Sequence, residues 1–394
     1  ALVREDTDEA WVDVHAGVPA WLSDGRLVWI ADADGGRRLF IGDAPVTPPG
    51  LQVRGVCDVD GDTVLFQASA EPTEVRLWTW SDGTLTMVGP DESGVYTGRL
   101  AGGTLLVSGS TLHDEGTVVR YSGPHGSGHV VSHAERSGLD VRVSLIRAGK
   151  RELATAVLFP SGHVPGSARL PVLMDPYGGP HVQRGLASRG LFLTSQWFAD
   201  QGFAVIVADG RGTPGRGPAW EREIHHDFAT AVLEDQVDAL HGAAAAYPDD
   251  LDLSRVGIRG WSFGGYLAAL AVLRRPDVFH AAVAGAPVTD WRLYDTGYTE
   301  RYLGHPDEHG SAYEVSSLLA DAAKLERPLL LIHGLADDNV VAAHTLRLSQ
   351  ALLAAGRPHT VLPLPGVTHM TPQETVAENL LLLQVDFLKR ALGV

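Results

Sequence analysis

The first 137 residues alternate short apolar runs with turn dipeptides. Asp24-Gly25 precedes LVWIA, Asp60-Gly61 precedes TVLFQA, and Gly102-Gly103 precedes TLLVSG. Asp-Gly and Gly-Gly favour hairpins, because both turn residues must adopt a positive φ. A second strand-like run follows each of the three, namely RRLFIG, EVRLWTW and TVVRYSG. The pattern therefore predicts three successive groups of antiparallel strands.

The turn glycines at 25, 61 and 103 lie 36 and then 42 residues apart. A period of about 40 residues, built from several short strands, is typical of β-propeller blades. A plain β-sandwich is the alternative. Closed propellers need about four to eight blades. We therefore expect an incomplete β-propeller of about three blades, together with an upstream propeller segment of the same protein.

From about residue 138 the chain alternates strand-like and helical patterns. LDVRVSLIRAG and RELATAVLFP predict a strand pair joined at Ala148-Gly149. Short apolar runs suited to buried parallel strands then follow: LPVLMD, FAVIVAD, RVGIRG, AAVAGA, RPLLLIHG and HTVLPLP. Helical patterns lie between them: WEREIHHDFATAVLEDQVDALHGAAAA, GGYLAALAVLRR and VAAHTLRLSQALLAA. This alternation predicts a doubly wound, mostly parallel α/β sheet in residues 138–394, after propeller blades in residues 1–137.

Composition and charge exclude several classes of function. The formal charge of −17 and the lack of a basic patch argue against nucleic acid binding. No apolar run reaches 18 residues, and the acidic start ALVREDTDEA does not resemble a signal peptide, so we expect no membrane span and a cytoplasmic location. Cys57 is the only cysteine, which excludes an intrachain disulfide and argues against a thiolate metal site. The chain starts without Met, so we expect it to be processed or truncated, and the sequence leaves a homo-oligomer open.

The stretch GIRGWSFGGYL, residues 257–267, contains the motif Gly-x-Ser-x-Gly between a predicted strand and a predicted helix. In such a sharp turn the residues two before and two after the serine come close together, so only small residues fit. Gly260 and Gly264 meet that requirement. The turn exposes the serine hydroxyl at a helix N-terminus, where negative charge is favoured. Ser262 is therefore the predicted nucleophile.

A serine hydroxyl needs a base, and the base needs an acid that orients it. In this kind of sheet the order along the chain is serine, acid, histidine, on loops that follow later strands. Asp337, in LADDNV, and His369, in GVTHM, meet this order. Asp338 is the alternative acid, and we expect His333 to be a structural hydrogen-bonding residue.

The glycines at 210, 212 and 215 fit the dinucleotide motif G-x-G-x-x-G after a predicted strand. That motif must open a helix. Pro214 and Pro218 favour an extended loop instead. We therefore predict no nucleotide site there.

Several motifs, in order along residues 138–394, resemble the prolyl oligopeptidase family of serine peptidases, and in particular its dipeptidyl peptidase IV branch. These are DPYGGP, DGRGTPGRG, GWSFGG, APVTDW, YTERYLG and HGLADDNV, followed by the late histidine. The resemblance implies an α/β-hydrolase domain after a propeller. It implies Ser262 as nucleophile, His369 as general base and acid, and Asp337 as the residue that orients it. It implies no metal and no organic cofactor.

The resemblance also implies further site residues. An oxyanion hole would use the hydroxyl of Tyr177 and the backbone N–H of Phe263, with a packing role as the alternative for Tyr177. An apolar pocket for a proline ring would use Phe263, Val288, Trp291, Tyr294, Tyr298 and Asn339. Phe263 stands where the family usually has tyrosine. The alternative for Trp291, Tyr294 and Tyr298 is a stripe in a helix core.

The expected activity is that of a serine peptidase that cleaves after proline or alanine near the N-terminus of short peptides, through an acyl-enzyme on Ser262. A carboxylesterase and a non-catalytic interaction protein are the alternatives. In dipeptidyl peptidases of this family a pair of propeller glutamates binds the free amine of the substrate. No such pair occurs before residue 138, where Glu71, Glu74, Glu92 and Glu115 are isolated. We expect that pair upstream, so the dipeptidyl rule is left open.

Overall fold

The structure is a computed structural model that describes residues 2–394, and these form two compact units. The N-terminal unit comprises residues 2–139, Leu186–Leu193 and Pro214–Glu221. The C-terminal unit comprises Asp140–Gly185, Thr194–Thr213 and Arg222–Val394. The sequence did not anticipate that two short later segments belong to the first unit. The division into domains at residues 137 and 138 stays a proposal.

The N-terminal unit contains three four-stranded antiparallel sheets, each with its strands in sequence order. The glycines of the predicted turns join the first strand to the second in each sheet, and Gly25, Gly61 and Gly103 have φ values of 86°, 61° and 73°. The strands are β1 (Ala20–Trp21), β2 (Leu27–Ala33), β3 (Gly36–Ile41), β4 (Ala44–Pro45), β5 (Gln52–Asp60), β6 (Thr63–Ser69), β7 (Arg76–Ser81), β8 (Thr84–Val88), β9 (Val95–Ala101), β10 (Thr104–Ser110), β11 (Val118–Gly123) and β12 (Gly126–Val130).

The middle sheet contributes to two hydrophobic cores. In β6, Val64 and Phe66 pack with residues of the first sheet, including Val28 and Leu39. Leu65, on the opposite face of the same strand, packs in the core that contains Tyr96 of the third sheet. Side chains alternate across a strand, so one strand can serve both neighbours. The three sheets therefore stack in series, as propeller blades do, and not as the two facing sheets of a sandwich.

The C-terminal unit is built on an eight-stranded sheet with the order β13-β14-β16-β15-β17-β18-β19-β20. The six strands from β16 to β20 in this order are parallel, and the β13–β14 hairpin adds to the β16 edge in antiparallel fashion. The strands are β13 (Val143–Ala148), β14 (Leu153–Leu158), β15 (Leu170–Met174), β16 (Ala204–Asp209), β17 (Leu251–Trp261), β18 (Ala281–Gly285), β19 (Leu329–Gly334) and β20 (Thr360–Leu364). Each of the predicted apolar runs forms one of these strands.

Within residues 2–394 the chain forms eight α-helices. They are α1 (Leu193–Asp200), α2 (Pro218–Arg222), α3 (Thr230–Ala246), α4 (Phe263–Arg274), α5 (Thr296–Leu303), α6 (Gly310–Ser316), α7 (Ala343–Ala354) and α8 (Glu374–Leu392). The helical pattern predicted for residues 220–246 is interrupted, because residues 223–229 leave helical geometry and His226 has a φ of 65°. Only α3, which buries Leu233, Val237 and Leu240 as predicted, is a long helix in this stretch.

Ser262 occupies a sharp turn between β17 and α4. Its φ of 59° is uncommon for a residue with a side chain, and its N–H donates a hydrogen bond to the Gly285 carbonyl at 2.9 Å. A Cβ atom on Gly260 would lie 2.2 Å from the carbonyl carbon of Gly264, and one on Gly264 would lie 2.7 Å from the Pro176 oxygen. The turn therefore excludes side chains at both positions.

We predict that Gly260→Ala strongly destabilises the C-terminal unit, because the added methyl group collides with backbone that cannot move aside. The free energy of unfolding should fall by about 1–3 kcal/mol or more. Gly257→Ala on the same strand is the matched control, since its Cβ would meet the end of the Leu388 side chain at 3.1 Å. Urea unfolding followed by circular dichroism measures both. Equal losses in the two variants would contradict the steric account.

Candidate active site

Asp337 and His369 form a hydrogen-bonded pair on the loops that follow β19 and β20. Nδ1 of His369 lies 2.8 Å from Oδ2 of Asp337. Because a carboxylate only accepts, Nδ1 carries the proton and Nε2 is left to act as a base. The other oxygen, Oδ1, accepts the backbone N–H groups of Asn339 at 3.0 Å and Val340 at 2.9 Å. The carboxylate is thus fixed on both oxygens.

The two neighbouring residues that the sequence left as alternatives lie in different environments. Asp338 is exposed, whereas Asp337 is buried. His333 is also buried, with Nδ1 2.7 Å from the Thr345 hydroxyl and Nε2 2.7 Å from the Val340 carbonyl. Nε2 of His333 lies 3.5 Å from Oδ2 of Asp337, so His333 lies beside the carboxylate. Both of its ring nitrogens have hydrogen-bond partners.

Ser262, Tyr177 and His369 line one cavity of about 370 Å³ in the C-terminal unit. Among the described residues no hydrogen bond joins Ser262 to His369. Catalytic hydrogen bonds are often long without a bound substrate. Burial raises the pKa of Tyr177 to about 12, against the lowering effect of a hydrogen bond with Ser262.

Phe263 is the first residue of α4, directly after Ser262. The first N–H groups of a helix have no acceptor within the helix. The Phe263 N–H can therefore donate to a group held beside Ser262. The ring of Tyr177 lies 6.0 Å from that of Phe263. A helix N–H and a tyrosine hydroxyl thus both lie next to the serine.

The walls of the cavity are mainly aromatic. Every pocket residue expected from the sequence lines it: Phe263, Val288, Trp291, Tyr294, Tyr298 and Asn339. Trp291 and Tyr298 are stacked with ring planes 17° apart and centroids 6.2 Å apart. The hydroxyl of Tyr294 donates to Oδ1 of Asn339 at 2.8 Å. These walls therefore combine flat apolar surfaces with a polar pair formed by the Tyr294 hydroxyl and the Asn339 side chain.

Trp291, Tyr294 and Tyr298 do not share a helix, contrary to the alternative of a core stripe. Trp291 begins a short 3₁₀ helix (Trp291–Leu293), and α5 starts at Thr296, capped by Asp295. Trp291 is nevertheless only 1% exposed, and its ring also packs against Phe228 and Tyr266. This residue forms both the cavity floor and part of the core.

Three lining residues were not predicted: His181, Trp261 and Met370. Trp261 and Met370 lie within stretches that the sequence had singled out, and His181 directly follows one, so proximity along the chain was the available signal. The indole N–H of Trp261 donates to the His369 carbonyl at 2.7 Å. The ring of His181, a residue with a φ of 57°, packs edge-on against Tyr298 at 5.5 Å.

The glycines at 210, 212 and 215 lie in the loop between the end of β16 at Asp209 and the start of α2 at Pro218. They do not open a helix, in agreement with the loop expected there.

In residues 2–394, no three His, Cys, Asp or Glu side chains form a group that could hold a metal ion. Over the same residues, none of the helices has the length and apolar character needed to cross a membrane.

The sequence profile of the prolyl oligopeptidase family matches residues 190–394, just over half of the chain. The chain belongs to the prolyl oligopeptidase family. It is 39% identical over 230 residues to dipeptidyl peptidase 8 of Mus musculus and of Homo sapiens, which is 57% of this chain and 26% of each relative. It is 30% identical over 236 residues to dipeptidyl peptidase 4 of Bos taurus, covering 59% of this chain and 30% of the relative.

The crystal structure of Porphyromonas gingivalis dipeptidyl peptidase 4 is similar to the whole fold. The TM-score is 0.86 at 26% identity, over 97% of this chain and 57% of that one. The fold is therefore that of propeller blades followed by an α/β hydrolase, as expected. The matched part of the chain covers about a quarter of the length of the dipeptidyl peptidase 8 sequences.

We predict that Asp337→Asn slows labelling of Ser262 by a fluorophosphonate probe by roughly 10³- to 10⁴-fold, because an amide no longer holds the required His369 tautomer. Asp338→Asn, one residue away and exposed, should react at nearly the unmodified rate. Intact-protein mass spectrometry over time measures both rates. If the two variants react equally, Asp337 is not the orienting acid.

Proposed function

We propose that the chain is a serine peptidase in which Ser262 is the nucleophile, His369 the general base and acid, and Asp337 the residue that orients His369. The single observation that carries the proposal is the 2.8 Å contact between His369 Nδ1 and Asp337 Oδ2 beside a cavity that also contains Ser262. Membership of the prolyl oligopeptidase family supports it independently.

In the proposed reaction, Nε2 of His369 accepts the Ser262 hydroxyl proton as Oγ attacks the scissile carbonyl. The carbonyl oxygen becomes negative in the tetrahedral intermediate. Collapse breaks the C–N bond, and His369 returns the proton to the leaving amine. The acyl group remains on Ser262 until water, activated by His369 in the same way, releases the acid and restores the hydroxyl.

The negative oxygen of the intermediate would be stabilised by the Tyr177 hydroxyl and the Phe263 N–H. A donor must be protonated, and a pKa of about 12 keeps Tyr177 in that form at neutral pH. Such preorganised donors contribute on the order of 10²- to 10³-fold in rate each. The proximity of Tyr177 to Ser262 supports this role over one in packing alone.

The aromatic cavity supports a preference for proline or alanine on the acyl side of the cleaved bond. The aromatic walls that Trp291 and Tyr298 contribute offer apolar surface against which a pyrrolidine ring can pack. The relatives named dipeptidyl peptidases support cleavage near the N-terminus of short peptides. The cytoplasmic location, the upstream propeller segment and a homo-oligomer stay predictions.

We expect Tyr177→Phe to lower kcat/KM by the same factor at pH 7 and at pH 9. The pKa of Tyr177 is raised, so its neutral donor form persists at both values and is lost only as the pH approaches about 12. Initial rates on a prolyl peptide at the two pH values provide the measurement. A deficit that vanishes at pH 9 would mean that Tyr177 loses its proton there and that its pKa is not raised, whereas no deficit at either pH would contradict the donor assignment.

A pair of variants on α5 tests the pocket. Tyr298→Leu removes a cavity wall, whereas Tyr302→Leu makes the same change one turn later in a buried residue that does not line the cavity. We expect Tyr298→Leu to lower kcat/KM for a prolyl substrate about tenfold more than for its alanyl analogue, because one flat surface is lost.

Tyr302→Leu should leave that ratio unchanged, whatever it does to the unfolding temperature. The matched pair separates specificity from stability. If both variants change the ratio equally, the aromatic residues are a core and not a binding pocket. Failure of the probe to label Ser262 in the unmodified chain would reject the peptidase proposal itself.

A further inference from the structure

The loop of residues 175–185, which follows β15 and holds Tyr177 and His181, is closed at its base by one side chain. Nη1 of Arg184 donates to the Asp175 carbonyl at 2.5 Å. Nη2 of the same guanidinium lies 3.2 Å from Oδ2 of Asp175 and 3.1 Å from the Ser195 hydroxyl. One arginine thus joins the last residues of the loop to its first.

A second arginine joins this base to the strand that leads to the serine. Arg259 lies on β17, three residues before Ser262, and its Nη1 donates to Oδ1 of Asp175 at 2.7 Å. Asp175 is 1% exposed, and burial would raise its pKa. The two arginines overcome that effect and lower the pKa, so the carboxylate stays charged and binds both. Asp175 therefore connects the Tyr177 loop to the Ser262 strand.

The end of the loop is also fixed to the neighbouring strand β16. The backbone N–H of Arg184 lies 3.0 Å from each carboxylate oxygen of Asp209, and that of Gly185 lies 2.6 Å from Oδ2. Both ends of the loop are therefore attached to adjacent strands of one sheet. The base cannot shift without breaking charge-assisted hydrogen bonds, which are the stronger kind.

Between these ends, the loop packs closely against α4. A Cβ atom on Gly179 would lie 2.5 Å from the Phe263 ring, and one on Gly178 would lie 2.5 Å from the Leu267 side chain. These close contacts leave no space for the loop to shift without also moving Tyr177. A displacement at the base is thus transmitted to the Tyr177 hydroxyl.

We propose that Arg184 is a positioning residue: by closing the loop onto Asp175, it holds the Tyr177 hydroxyl at the distance from Ser262 that oxyanion stabilisation needs. This inference rests on the proposed function. Arg184 itself does not line the cavity and contacts no reacting atom. Its effect on the reaction therefore passes through Tyr177, which makes it separable from a purely structural effect.

A double-mutant cycle tests the proposal with the 394-residue chain. The second-order rate of fluorophosphonate labelling at Ser262 is measured for the unmodified chain, Arg184→Met, Tyr177→Phe and the double variant. We expect Arg184→Met to slow labelling about tenfold when Tyr177 is present and less than about twofold in the Tyr177→Phe background, as coupled residues of one network do. Asp175 keeps its bond to Arg259 in every variant, so no buried carboxylate is left unpaired.

Arg211→Met is the matched control. Arg211 is similarly buried in the next loop, pairs with Asp235 at 3.0 Å, and does not line the cavity. Its substitution should lower the unfolding temperature but change labelling by the same factor with and without the Tyr177 hydroxyl. Arg184→Lys keeps the charge and loses the forked contact, so it should retain the fold and show the same coupling as Arg184→Met.

The inference is overturned if Arg184→Met slows labelling by the same factor with and without the Tyr177 hydroxyl. If Arg184→Met does not fold, Arg184→Lys serves for the same comparison. Either result leaves the peptidase proposal intact. Unchanged labelling in Tyr177→Phe alone would overturn it too, since no oxyanion contact would remain for Arg184 to act through. An unmodified chain that the probe does not label contradicts the proposed function instead, and the two failures are therefore distinguishable.

Discussion

The rest of the C-terminal unit depends on the close approach of backbone segments around Ser262. Four segments meet there without intervening side chains: the end of β17, the start of α4, the end of β18 and the loop after β15. A methyl group on Gly265 would lie 2.2 Å from the Gly285 oxygen, just as those on Gly260 and Gly264 would strike backbone. The strained φ of Ser262 persists because these contacts leave it no other path. Ser262 lines the cavity as a result.

Much of the fold follows from local rules that the sequence displays. Short apolar runs indicate the buried parallel strands, and the turn glycines of the blades indicate hairpins. The break after α2 could not be seen in the same way, because residues 223–229 contain no proline or glycine that would indicate the end of a helix. There the backbone N–H of His226 donates to the Tyr302 carbonyl, a tertiary contact that overrides local propensity.

The candidate site was predictable to the extent that its residues lie in motifs. Ser262, Asp337 and His369 could be named from their order after successive strands. Choosing between Asp337 and Asp338 from strand positions is much harder, since adjacent residues on a loop differ mainly in the direction of their side chains. The Asp175 network could not be predicted for another reason. Asp175, Asp209 and Arg259 lie in stretches that the sequence had singled out, but nothing in those motifs indicates that the two carboxylates meet Arg184 and Arg259. Only the folded sheet brings the four residues together.

The hydrogen bond between Tyr294 and Asn339 has a consequence for how binding and chemistry are related. The Asn339 side chain accepts a hydrogen bond from Tyr294 in the cavity wall, while its backbone N–H donates to the Asp337 carboxylate that is bonded to His369. The proposed substrate surface and the carboxylate proposed to orient His369 are thus both bonded to Asn339. Under the proposed function, a substitution that moves this residue to accommodate a new side chain at the cleaved bond would also shift the group on which turnover depends.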